Sequence, residues 1–308
     1  MTKKLKRSRS QLFNFAEDSY LERSTRPVYS LIFLLPFIVF YEMGTILSNT
    51  DALSRTQDRV VAFIWLQAFL DRYVGLDSRL AWIAPPLAVV VVLLGLQLAS
   101  RKRWSFALAD FGPMVIECIL LGIPLIVLSL FLSGPAERAR DDARSSYSTV
   151  RIQTEAIARC SLSARDGSAT WTPGADSGQK TGESLLANIV TGIGAGIYEE
   201  LVFRLVLMCV LMVVLQDLVG LSHKTAIILS VLVSAALFSA HHHIVFVNGR
   251  LASSYPFNWK EFSFRTIAGV YFAALFVIRG FGITAGTHAF YDIMATMINA
   301  AFFDQWKM

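Results

Sequence analysis

The chain is poor in cysteine, with three in 308 residues, and Cys118, Cys160 and Cys209 stand far apart in sequence. That set supports neither a disulfide framework nor paired-cysteine metal spacing. Charge is also sparse: Asp, Glu, Lys and Arg make up 17% of the residues, against roughly 25% in an ordinary soluble domain. The sequence contains no His-Glu-x-x-His helix signature, no internal repeat and no low-complexity array. No short apolar stretch with a small-residue cleavage site follows the basic start, so a cleaved signal peptide is not expected and the first apolar span reads as a retained anchor.

Apolar residues are abundant instead. They make up 54% of the chain, and the mean hydropathy is +0.51, an excess that a single soluble core does not accommodate. Runs of about 20 apolar residues are long enough to cross a hydrocarbon layer about 30 Å thick as helices. Three such spans are expected in the first half, at Val28 to Ser48, Leu80 to Ala99 and Pro113 to Leu132. A shorter apolar stretch at 59–70, flanked by charge, reads as an interfacial or re-entrant helix. Residues 134–184 break the pattern with seven basic and seven acidic side chains and read as a polar extramembrane loop on the outer face. Four further apolar segments follow, at Leu185 to Leu218, Thr225 to Val247, Phe262 to Ile278 and Ile283 to Phe303. The first of these is longer than one perpendicular crossing, and predicts either strong tilt or a break near Gly192, Gly194 and Gly196. Gly192 and Gly196 also form a small-xxx-small pair suited to close helix approach.

The expected fold is therefore an all-α polytopic transmembrane bundle of seven to eight spans. It divides into an N-terminal membrane region (1–133), the polar loop (134–184) and a C-terminal membrane core (185–308). The net charge of +5 is concentrated beside apolar spans, at Lys3, Lys4, Lys6, Arg7 and Arg9 and at Arg101, Lys102 and Arg103. That placement is expected of cytoplasmic anchors facing anionic lipid, not of a nucleic-acid surface. The bilayer is the expected partner, and the expected location is a bacterial cell membrane with the N-terminus in the cytoplasm.

Polar groups within apolar helices are expensive, about 2.5 to 3.5 kcal/mol per charge on insertion scales, which makes each one a functional candidate. They are grouped in the C-terminal core: Glu199, Glu200 and Arg204 on one segment, His241, His242 and His243 at the end of the next, His288 and Asp292 on the last. Glu200 and Arg204, four apart, share a helix face, while Glu199 is rotated by about 100°. Arg204 thus neutralises Glu200 and leaves Glu199 as the carboxylate for general-base work; the bland reading is a buried ion pair with Glu199 reaching toward the interface. His288 and Asp292 are a second i, i+4 pair, in which the carboxylate orients the imidazole. Of the three consecutive histidines, His242 is chosen because it follows Phe238 by one helical turn. Met208, Met212, Phe238 and Phe290 read either as a lining for an apolar substrate or as ordinary helix packing.

The three motifs Glu199-Glu200-x-x-x-Arg204, Phe238-x-x-x-His242 and His288-x-x-x-Asp292, in that order on successive spans, resemble those of the CPBP family of CAAX prenyl endopeptidases and bacteriocin-processing (Abi) proteins. The resemblance covers about residues 185–303. It implies a glutamic intramembrane endopeptidase that requires no metal and no other cofactor. The residues matching Glu199 and His242 would activate water, and those matching His288 and Asp292 would stabilise the oxyanion. The family's last motif often ends in Asn, whereas here it ends in Asp292, an anion beside a developing oxyanion. The implied partner is a peptide or protein substrate, membrane-associated or lipid-modified. Three alternatives stay open: a zinc peptidase, for which Glu199, His242, His288 and Asp292 are plausible ligands; a cysteine peptidase, disfavoured because Cys209 lies about 15 Å along the helix from Glu199; and a non-catalytic membrane partner or immunity-type protein.

Overall fold

The computed structural model describes residues 18–50, 84–132, 180–242, 244–247, 250–253 and 258–302. The expected helix at 59–70, and all of the expected loop at 134–184 except its last residues, lie outside them. A short helix α1 (Tyr20–Ser24) precedes α2 (Pro27–Thr50), α3 (Ala84–Ser100) and α4 (Phe111–Leu132). Helix α5 (Lys180–Glu200) continues through a π-helical stretch (Leu201–Leu207), α6 (Met208–Met212) and a second π-helical stretch (Val213–Leu218). Helix α7 (His223–His241), strands β1 (Ile244–Val247) and β2 (Arg250–Ser253), and the long helix α8 (Trp259–Phe302) complete the described chain.

Five of these helical stretches are long and apolar enough to cross a membrane, and α3 is a shorter apolar helix beside them. The longest, α8, reverses direction. Gly280 has φ 75° and ψ −179° inside it, a backbone region essentially closed to side chains with a Cβ. The contacts of α4 show the reversal. Glu117 meets Arg279, and the carbonyl of Leu121 accepts from Tyr271, so the first arm runs antiparallel to α4. Cys118 meets Ile283, and Gly122 lies against Tyr291 and Met294, so the second arm runs parallel to α4. The two arms, 259–279 and 281–302, therefore form a helical hairpin whose turn is one residue. With several helices of membrane-crossing length, the chain is a multi-pass membrane protein.

Of the two readings of the segment from Leu185 to Leu218, strong tilt or a break at its glycines, the break is not seen: the helix is regular through Gly192, Gly194 and Gly196, and the irregularity begins after Glu200. The glycines serve close approach instead. A Cβ added to Gly196 would lie 2.5 Å from the backbone nitrogen of Ala289, and one added to Gly192 would lie 2.7 Å from Cβ of Asp292. The second arm of α8 thus rests on the backbone of α5. One expectation needs correction: the apolar segment from Thr225 to Val247 is not one helix. Helix α7 ends at His241, and Ile244–Val247 pairs antiparallel with Arg250–Ser253. The β-branched run Ile-Val-Phe-Val, followed by Asn248 and Gly249, favours a hairpin over another helical turn.

Ion pairs tie the N-terminal elements to the turn of α8. Arg279 donates to Glu117 at 2.5 and 2.8 Å, to the Leu21 carbonyl at 3.0 Å and to the Ser24 hydroxyl at 2.8 Å. Tyr20 donates to the same Glu117 carboxylate at 2.6 Å. Arg23 forks onto Asp110 with two 2.9 Å bonds, and Arg26 joins Glu22 and Asp18 at 2.6 and 2.7 Å. On α4 the exposed residues Ile116, Leu120, Ile123, Val127 and Phe131 form a lipid-facing stripe at helical spacing.

Two measurements check this arrangement. Replacing Gly196 with Ala should lower the Tm in detergent, with about 1 to 3 kcal/mol of overpacking against α8. Gly95→Ala, where nothing lies within 4 Å of the new Cβ, should leave Tm unchanged or raised; equal effects at the two sites would contradict the packing. The second measurement is pH dependence. Arg26 holds the Asp18 and Glu22 carboxyls below their usual values of 3.8 and 4.5, chiefly by hydrogen bonding. A depressed folded-state value contributes stability that is present above the ordinary carboxylate range and lost as pH falls through and below it. Unfolding scans should show Tm dropping on acidification below about pH 4.5, and Arg26→Gln should flatten that drop.

Candidate active site

Glu199 and Glu200 are the last residues of α5, and the π-helical stretch that follows carries Arg204. A π-helix inserts an extra residue into the turn and displaces the backbone carbonyls from their usual partners. One such carbonyl, that of Phe203, accepts a 2.7 Å hydrogen bond from the Ser234 hydroxyl of α7. The widened turn is thereby fastened to the neighbouring helix at the level where the charged side chains project.

Arg204 is wholly buried. Its Nε lies 3.1 Å from Glu200 Oε2, an ion pair without hydrogen-bond alignment, and its Nη2 donates to the Gly269 carbonyl at 3.4 Å. The guanidinium carbon sits 4.2 Å from the centre of the Phe238 ring and 5.6 Å from that of Phe272. Aromatic faces supply a negative electrostatic surface where water is excluded. The other oxygen of Glu200 stands 2.7 Å from His288 Nδ1. Glu200 therefore joins Arg204 on its own helix to His288 on the second arm of α8.

His288 stacks on Phe272, with ring centroids 4.5 Å apart and planes 19° apart. The one-residue turn explains the match: Phe272 and His288 lie eight positions to either side of Gly280, at one level of the hairpin. The other ring nitrogen, Nε2, is 3.6 Å from Asp292 Oδ2. His288 is thus flanked by two carboxylates, and Asp292 rests against Gly192 with a quarter of its side chain exposed.

Glu199 points elsewhere. Its Oε1 is 3.9 Å from Nε2 of His242, the residue that caps α7. His242 Nδ1 lies 2.9 Å from the Phe238 carbonyl, which can only accept, so Nδ1 carries the proton and the lone pair of neutral His242 is on Nε2, toward Glu199. At 3.9 Å the two groups are too far apart for a direct hydrogen bond and well spaced for one water to meet both. His241 packs edge-on against Phe203 instead, with ring centroids 5.2 Å apart, and His243 lies outside the described residues.

The structure brings all six residues singled out from sequence, Glu199, Glu200, Arg204, His242, His288 and Asp292, into one cluster. Phe238 belongs to it as well, whereas Phe290 packs against Phe37 of α2, 5.7 Å between ring centroids. Sequence reasoning passed over Phe272, which floors both His288 and Arg204; its only signal is symmetry with His288 about Gly280. Among the described residues no group of three His, Cys, Asp or Glu side chains is arranged to hold a metal ion. Cys118 is buried against α8, and Cys209 is exposed.

Residues 181–294 match the family described as type II CAAX prenyl endopeptidase, Rce1-like. No curated protein and no solved structure matches the chain. All six clustered residues fall inside the matched segment. Over residues 181–294 the chain therefore carries an Rce1-like domain of the CAAX prenyl endopeptidase type, in agreement with the family that its three motifs resemble.

Proposed function

We propose that this protein is an intramembrane endopeptidase that cleaves a membrane-associated or lipid-modified peptide with water activated by Glu199 and His242. The observation that carries the reading is the 3.9 Å gap between Glu199 Oε1 and His242 Nε2, with the imidazole tautomer fixed by the Phe238 carbonyl. A water in that gap gives one hydrogen to each acceptor, leaving a lone pair free to attack the scissile carbonyl. As the C–O bond forms, the water proton passes to the Glu199 carboxylate. When the C–N bond breaks, Glu199 returns that proton to the leaving nitrogen, and the products are an amine and a carboxylic acid whose remaining water proton is lost to solvent or to the amine.

His288 suits the opposite side of the tetrahedral intermediate. As an imidazolium it donates Nδ1–H to Glu200 and keeps Nε2–H for the oxyanion, with Asp292 drawn beside the same ring at 3.6 Å. This pairing lets an aspartate stand where related sequences often carry asparagine, because the cation next to it offsets its charge. Glu200 and Arg204 act as positioning residues that hold His288. The basic residues Arg23, Arg26, Arg101, Lys102, Arg103 and Arg279 gather at the face where α2 and α4 begin and α8 turns, and the charge rule for membrane proteins makes that face cytoplasmic.

The test is cleavage of a panel of farnesylated and unmodified C-terminal peptides by the purified protein in detergent. Glu199→Gln should cost about a hundredfold to ten-thousandfold in rate, His242→Ala should cost a comparable amount, and His241→Ala should cost little. A chelator should have no effect. Chelator sensitivity would point to zinc in place of glutamate-activated water, and unimpaired cleavage by Glu199→Gln would sink the proposed site.

A further inference from the structure

The described residues contain one pair of strands, and it follows the cluster's His242 in the chain. Strand β1 begins at Ile244, two positions after His242, and pairs with β2 in the register Ile244 with Ser253, Val245 with Ala252, Phe246 with Leu251 and Val247 with Arg250. The sheet has two strands. In an antiparallel pair, residues alternate between exchanging backbone bonds with the partner and directing their N–H and C=O groups outward. Only Asn248 and Gly249 separate Val247 from Arg250, a two-residue connection, which makes the flanking residues a bonded pair. Val245 is then bonded as well, and the outward backbone groups of β1 belong to Ile244 and Phe246.

We propose that the outer edge of β1 is the docking strand for the peptide substrate, which adds to it in extended form by backbone pairing. The inference rests on the peptidase reading above and says how that site receives its substrate. Hydrolysis by an attacking water requires a peptide carbonyl that no helical hydrogen bond shields, and an open strand edge selects that conformation. A peptide added to β1 runs about 4.8 Å from it. Continued along the strand past Ile244, it passes the end of α7, where His242 faces Glu199. The hairpin is the only paired-strand edge among the described residues and is continuous in sequence with His242. Recognition through the backbone leaves side-chain specificity to other contacts and fits an enzyme that accepts one chain conformation in preference to one sequence.

The experiment uses the full-length protein and whichever farnesylated or unmodified peptide of the panel it cleaves. A set of that peptide is prepared with a single backbone N-methyl group at each position around, but not at, the scissile bond. Strand pairing predicts alternation: methylation at every second residue should lower kcat/KM by about tenfold, the loss expected of one hydrogen bond, while the residues between should be tolerated. On the protein, Phe246→Pro removes an outward N–H and should lower kcat/KM for the unmethylated peptide. The bond it removes is the one to the peptide carbonyl it faced, so weakening that carbonyl as an acceptor, by an ester in place of the amide that follows it, should lower kcat/KM for the wild type and cost nothing further in Phe246→Pro, a readout that simple misfolding does not give. Cleavage by the wild type with no alternation along the methylated series would overturn the docking strand and leave the peptidase reading intact. Failure of the wild type to cleave any peptide in the panel would overturn both.

Discussion

The arrangement of the C-terminal unit depends on one buried charge cluster, in which Glu200 bridges Arg204 and His288. Each partner comes from a different part of the chain: the carboxylate ends α5, the guanidinium projects from the π-helical turn, and the imidazole arrives on the second arm of α8. A buried ion is tolerated only when its partners are in place, and removing one partner from such a group costs about 3 to 5 kcal/mol. The cluster therefore sets a geometric condition on everything around it. Helix α8 must lie close enough to α5 for His288 to reach Glu200, which is why Gly192 and Gly196 face it. The aromatic rings of Phe238 and Phe272 must close over Arg204, which brings α7 and the first arm of α8 to the same place.

The two adjacent glutamates illustrate how one step of rotation separates two chemical tasks. Glu200 is consumed by ion pairing and holds its neighbours still. Glu199, one residue earlier, escapes that pairing and faces a histidine whose own orientation is fixed by a backbone carbonyl. Adjacent acids on a helix would otherwise repel each other in a medium of low dielectric, and Arg204 is the charge that permits them to coexist.

Much of this was legible in the sequence because it depended on spacing within one helix. Lengths of apolar runs located the spans, and i, i+4 offsets found Glu200 with Arg204, Phe238 with His242, and His288 with Asp292. What was not legible depended on contacts between distant segments. The sequence shows Arg279 and Gly280 as a gap between two apolar runs but not that the gap is a one-residue reversal, since that conformation is fixed by what packs around it. Glu117 and Arg279 are both charges at the edge of or within apolar runs, so the rule that found the site applied to them too, yet nothing local indicates that they pair. The end of α7 was misjudged because hydropathy does not distinguish a short apolar strand from another helical turn, although the Asn-Gly pair at 248 and 249 carried the information.

The pairing of Glu117 with Arg279 spans 162 positions in the chain, and this bears on biosynthesis. During synthesis Glu117 enters the membrane early and has no guanidinium to neutralise it until nearly the whole chain has been made. The two arms of α8 share a turn with no loop at which insertion could pause, so they arrive as a unit and bring Arg279 at the tip. The first helices thus reach their final arrangement only when the last pair docks. A chain cut short before residue 279 lacks two of its six catalytic candidates, His288 and Asp292, and it also carries in the N-terminal bundle a carboxylate without its guanidinium, a defect that quality control at the membrane can recognise.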